Sequence, residues 1–285
     1  MNSSARSTIS FSLMLLFGSL ILLQMVMFIV HQIWNVQWTW NIFQYCLTAI
    51  GEASVGHTIV KLLFNLLIVY TISRMTWRLL NQFYLSWKWD RHFQSQINVK
   101  MTRRLNRKYR AWKTRFLVIE DEAFVAISMG MFRRRIIVST GLFNTFSKQE
   151  IEAILLHERY HCNHFDPMKA LLFAVVVDGI GYVPIIKAAA HYYKTYKELL
   201  ADRFAIKHMG TEYYVGAVLF RLSAINRVRR LPVGVAFADV AINYRIMQVL
   251  DSQKPIRVPF LKFKPLMFSL TIVLIMMNIV AGGCS

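Results

Sequence analysis

The chain has 285 residues, 55% of them hydrophobic, and 34 Lys and Arg against 15 Asp and Glu give a net charge of +19. Soluble domains carry roughly 45–50% apolar residues, so this composition speaks against an ordinary soluble enzyme. A charge of this sign and size fits either a nucleic acid or a membrane surface as partner. Cys46, Cys162 and Cys284 are too few and too scattered for a disulfide framework.

In chain order, residues 1–8 read as a short cytoplasmic tail. The uncharged stretch "SFSLMLLFGSLILLQMVMFIV" predicts a first transmembrane helix over 9–30, long enough for a hydrocarbon core of ~30 Å. It lacks the basic start and small-residue cleavage site of a signal peptide. Residues 31–57 contain no Lys or Arg but include Trp34, Trp38 and Trp40, as in an extracellular loop with an interfacial aromatic belt. A second span follows over 58–76, with Lys61 placed to snorkel. Residues 74–115 then hold twelve basic side chains against one acid, Asp90, which assigns this side to the cytoplasm. The run "KMTRRLNRKYRAWKTR" reads as a basic segment lying against anionic lipid. No helix-turn-helix or zinc-knuckle spacing accompanies it, so direct nucleic-acid binding is not expected. Residues 77–264 form a cytoplasmic domain, 265–283 a last transmembrane helix, and 284–285 an extracellular end.

The chemistry is concentrated in "SKQEIEAILLHERYHCNHFDP". Ser147 and Glu150 have the spacing of a capping box, so a helix is predicted from Lys148 until Pro167 stops it. On it His157 and His161 are one turn apart on one face, and two imidazoles so placed can hold one zinc ion. Glu158, adjacent in angle, can take a proton from a water at the ion, which is the His-Glu-x-x-His pattern of zinc peptidases. His164 lies two turns from His157, too far to share its ion, and Cys162 points about 100° away from His161. Zinc needs a third protein ligand. Downstream, "YKELLADRFAIKH" places Glu198 and Asp202 one turn apart on a second helix. Glu198 is the candidate third ligand, and Asp202 can fix the tautomer of a ligating histidine.

These motifs, with Asp166 five residues after His161 and "ELLADRFA" from Glu198, resemble the integral-membrane gluzincin peptidases. Residues 123–143, "AFVAISMGMFRRRIIVSTGLF", are similar to the segment those enzymes place before the zinc helix. "NYRIMQVL" is similar to their Arg-Ile helix. Two branches compete: the BlaR/MecR antirepressor peptidases, and the HtpX and CAAX-prenyl-protease type. The resemblance implies one Zn²⁺ per chain on His157, His161 and Glu198, with Glu158 as general base and then acid. It also implies an edge strand, Arg135, Ile136, Ile137, Val138 and Ser139, that pairs with substrate. Asp239 stands near the position of the oxyanion-holding His-Pro of the second branch, so that role passes to Arg245. No Ser-x-x-Lys motif and no penicillin-binding segment follow the last span, so direct β-lactam sensing is not expected.

One constraint is physical. Glu198 can reach the ion of His157 only if the apolar block 168–190 between them does not cross the bilayer once, since a crossing separates them by roughly 30 Å. The block is therefore expected to be re-entrant or interfacial, broken at Gly179, Gly181 and Pro184, with Asp178 at the turn. The expected fold is mainly α: transmembrane helices plus a cytoplasmic α+β zincin-like domain with a small edge sheet. The expected protein is a multi-pass cell-membrane metalloendopeptidase with its site on the cytoplasmic side. Its partners would be the bilayer, a cytoplasmic protein substrate such as a repressor, and a separate sensor or a second copy. Quality-control proteolysis of membrane proteins, and a non-catalytic scaffold with structural zinc, are the alternatives.

Overall fold

The computed structural model describes residues 3–34, 36, 55–131, 133–224, 235–236, 242–251, 256, 258, 267, 268 and 271. Most of the loop 31–57, Asp239, and the last span 265–283 apart from three positions lie outside the described residues, as does the 284–285 end. The described chain is mostly helical with one small sheet. It divides into two compact units. One is formed by 5–79, 174–191 and 259–285, and the other chiefly by 80–173 and 192–258.

In the first unit, helix α1 (Ser3–Trp34) meets the first part of α2 (Val55–Ser95). Both contain stretches long and apolar enough to cross a membrane, Met14–Trp34 and Gly56–Ser95. α1 extends back through most of the segment read as a tail. Phe28 meets Phe64 edge to face at 6.0 Å beside buried Met25 and Ile68. The apolar block 168–190 is two helices, α6 (Asp166–Ile180) and α7 (Pro184–Met209). Proline is compatible with the first turn of α7, where its missing N–H is not needed. Val176, near the tip of this hairpin, approaches Gly18 of α1, where a Cβ would lie 3.3 Å away. The hydroxyls of Tyr182 and Thr71 are 3.5 Å apart, and Arg78 pairs with Asp178 at 3.5 Å. Asp178 thus has a cationic partner, as an ionisable group among apolar helices requires.

The second unit is built around the sheet. After α3 (Val99–Lys108) come β1 (Arg115–Ile119), β2 (Ala126–Met129) and β3 (Arg135–Ser139). Next are α4 (Thr140–Thr145), α5 (Lys148–Asn163), α8 (Tyr213–Ala224), β4 (Val235–Ala236) and α9 (Ile242–Leu250). The strand order is β1-β3-β2-β4, with β1 parallel to β3 and the other pairs antiparallel. Alternation sends Phe116, Val118, Ala126, Ile136 and Val138 into the core beneath α5. Ile119, Ile127, Met129 and Ile137 pack instead on Phe93 of α2. A sheet covered on both faces explains why β3 is an unbroken apolar run.

It also corrects the expected edge strand. Arg135–Ser139 is hydrogen-bonded on both sides and has no free edge. The outer side of β1 is closed by α3: Asn106 accepts from the Phe116 amide and donates to its carbonyl, and the Thr102 hydroxyl accepts from the Val118 amide. Such side-chain cover removes an aggregation-prone edge.

Gly141 marks a tight corner. A Cβ there would lie 2.2 Å from the Glu122 carbonyl oxygen and 2.6 Å from its carbon, while its amide donates to Asp121 O at 2.8 Å. Gly141→Ala is expected to destabilise the fold by about 1–3 kcal/mol, read as a lower Tm by thermal scanning of the detergent-solubilised protein.

Candidate metal centre

Helix α5 starts as its residues require: Ser147 caps the Glu150 amide, and Glu150 accepts from the Ser147 amide at 2.7 Å. It ends earlier than expected, at Asn163, because Phe165 adopts a left-handed conformation (φ 56°) and the chain restarts as α6 at Asp166. Pro167 therefore sits in the first turn of the next helix, where no amide donor is needed, instead of stopping α5. This turn brings Asp166 back to the zinc-motif face.

His157, Glu158 and His161 are all fully buried on α5, and α7 presents Glu198 and Asp202, also buried. Each histidine has its own carboxylate. His157 Nδ1 lies 2.8 Å from Asp202 Oδ1, and His161 Nδ1 lies 2.9 Å from Asp166 Oδ2. Carboxylates there hold the protons on Nδ1 and direct both Nε2 lone pairs inward. The two Nε2 atoms are 3.1 Å apart, and the Glu198 oxygens lie 3.4 Å and 3.5 Å from them. A tetrahedral ion with bonds of ~2.0–2.1 Å separates its ligands by about 3.3–3.4 Å. The triangle matches that spacing.

Charge points the same way. Glu158, Asp166, Glu198 and Asp202 are four buried carboxylates, and the basic residues that meet this cluster include Arg245 and Lys197. Buried carboxylates favour a cation among them, a part that a divalent ion would play once the histidines give up their protons to it. Both Glu158 oxygens and one Glu198 oxygen are buried without a hydrogen bond. The donor set and these orphaned atoms fit a bound metal ion.

The ionisation behaviour follows from burial and neighbours. Burial raises the Glu158 carboxyl, the two imidazoles pull it down, Glu198 pushes it up and the Ser128 backbone amide lowers it; the result is about 7. Burial opposes charge on His157, but Asp202 and Glu198 outweigh it and raise its pKa to about 9. Burial also opposes charge on Asp202 and Glu198. Arg245 and His157 on the first, and chiefly the histidines on the second, nevertheless hold both below the usual carboxylate range.

The sequence of the chain matches the BlaR1 peptidase M56 family profile over residues 51–249. The chain belongs to that family. Its members are metallopeptidases, and the His157–His161–Glu198 cluster is where this M56 chain could hold a metal. No curated protein matches it.

Within this M56 domain several residues lie differently from the expectations. Arg245 does not face an open oxyanion position. It is 1% exposed, with Nε and Nη2 each 2.7 Å from Asp202 and Nη1 3.3 Å from Glu198. Gln248, one turn on, donates to Leu199 O at 2.9 Å and ties α9 to α7. Of the former edge strand, Arg135 pairs with Asp90 and Ile136, Ile137, Val138 and Ser139 are buried inside the sheet. The strand beside the zinc motif is β2, whose Ser128 amide acts on Glu158. The outer side of β2 carries Val235–Ala236 at Ser128 and Ile127. Exposed His164 stacks on Tyr160, and Cys162 is buried in the core. Lys197 pairs with Asp166 at 3.0 Å beside the Tyr160 and Tyr193 rings. No periodicity could have signalled the bond from Asp166 to His161, because it depends on the left-handed Phe165.

Proposed function

We propose that the chain is a membrane-anchored zinc endopeptidase that cuts a cytoplasmic protein, a transcriptional repressor being the best candidate. The observation that carries this reading is the triangle of two imidazole nitrogens and one carboxylate with edges of 3.1–3.5 Å, one residue from a buried carboxyl raised to about 7. His157, His161 and Glu198 hold the ion. When bound, zinc supplies the positive charge that polarises a peptide carbonyl and acidifies a neighbouring water. Glu158 takes the proton from that water and returns it to the leaving amine, a role suited to a carboxyl poised near neutrality. Asp202 and Asp166 keep the ligating tautomers, and Arg245 fixes Asp202 and Glu198. The basic region 74–115 and the apolar helices support a multi-pass protein with its site on the cytoplasmic side.

The direct test uses the purified full chain in lipid nanodiscs. One zinc per chain by elemental analysis, and cleavage of a denatured protein that a chelator stops and added zinc restores, are the expected results. Absence of stoichiometric zinc ends this reading.

The pH dependence has a definite sign. In the metal-free protein His157 keeps its proton up to about pH 9, and the ion must displace it. Apparent zinc affinity should therefore rise by about tenfold per pH unit from this proton alone between pH 6 and 8. Competition against a chelating dye measures it, and a flat profile would mean that His157 is already neutral.

A further inference from the structure

Away from the metal centre, α3, α4 and the start of α5 enclose a cavity of about 350 Å³. Its floor includes buried Leu105, Phe146 and Ile151. Its rim carries Arg104 and Lys108, one turn apart on α3, and Lys148, the first residue of α5; all three are exposed. Among the described residues none of the three is paired with a carboxylate, and Lys108 only overlies the Tyr109 ring, 4.7 Å from its centroid. The arrangement follows from how α3 is held. Thr102 and Asn106 turn toward β1, and Leu105 enters the core. Arg104 and Lys108 are left beside the opening, while Arg103 and Arg107 lie on the same helix but do not line it.

The chemistry of the cavity narrows its occupant. A small free anion would leave the apolar floor wet, and a neutral apolar molecule would leave three cations without a partner. An amphiphile with an acyl chain and an anionic head answers both. A volume near the lower end of the ~300–1,000 Å³ typical of ligand sites suits one chain. Helices long and apolar enough to cross a bilayer place lipid within reach of this polypeptide. Basic clusters near a membrane attract anionic headgroups by about 1 kcal/mol per charge.

We propose that this cavity binds an anionic phospholipid, with one acyl chain on the Leu105–Phe146–Ile151 floor and the phosphate on Arg104, Lys108 and Lys148. Lys148 opens the helix that carries His157, about 14 Å of helix away. Bound lipid therefore braces the zinc-motif helix at its N-terminal end, where the helix dipole also favours an anion. This site stands whether or not the peptidase reading holds.

Native mass spectrometry of the full chain, released from detergent containing phosphatidylglycerol or phosphatidylcholine at equal concentration, provides the test. One phosphatidylglycerol should be retained in preference. R104Q/K108Q should weaken that retention by about 30-fold, the equivalent of two charges. Met101→Trp, which fills the cavity without altering charge, should weaken it as well, whereas R103Q/R107Q should retain the preference. Equal loss in both arginine-containing variants with Met101→Trp unaffected would reduce the effect to diffuse adsorption and overturn the proposal. So would no preference between the two lipids. A photoreactive side chain in place of Phe143, used in intact cells, should give an adduct of lipid mass; a protein adduct would assign the cavity to a polypeptide partner and also overturn it.

Discussion

Glu158→Gln is expected to lower peptide hydrolysis by about 10²–10⁴-fold, the usual contribution of a positioned acid–base group, while zinc content stays at one per chain. The separation is built into the geometry. Glu158 lies outside the triangle of His157, His161 and Glu198, so the amide can replace the carboxylate without removing a ligand. It fills the same buried volume but cannot take a proton. Fragment mass spectrometry of membranes bearing wild type or the variant, with elemental analysis of each purified protein, reads both quantities. Undiminished cleavage would remove Glu158 from the mechanism. Loss of zinc together with cleavage would make it a structural member of the site.

Arg245→Met should cost about 3–5 kcal/mol of stability, the effect of removing one partner from a buried ion pair. The guanidinium makes two 2.7 Å bonds to Asp202 and approaches Glu198 at 3.3 Å, all with almost no solvent access. Methionine fills much of its volume and leaves two buried carboxylates facing each other without that cation. The result should be a lower Tm and weaker zinc retention together. Arg245→Lys keeps the charge but not the planar fork, so it should recover only part of the loss. Unchanged Tm and zinc affinity in Arg245→Met would show that Asp202 and Glu198 are held by other contacts.

What could be read from the residues alone was whatever is encoded within one or two helical turns. The Ser147–Glu150 cap, the His157–His161 pair and the Glu198–Asp202 pair are all spacings of three or four residues, and the structure brings them together. Gly181 and Pro184 likewise mark the break between α6 and α7. What escaped depends on contacts distant in the chain. β3 became interior because β1, twenty residues earlier in register, pairs on its far side, and nothing in "RIIVS" distinguishes an edge from a centre. Arg245 had the right type for an oxyanion role, but its direction is set by α9 packing behind Asp202. Asp166 was visible beside the motif, yet its bond to His161 required a positive φ at a phenylalanine.

The α6–α7 hairpin has a consequence for how the protein is made. His157 and His161 leave the ribosome well before Glu198, and Arg245 arrives later still, after the whole hairpin and α8. Until that last guanidinium docks, Asp202 and Glu198 lack the cation that bridges them in the folded domain. The corner of the site that Arg245 braces is thereby completed only by residues that emerge after α8.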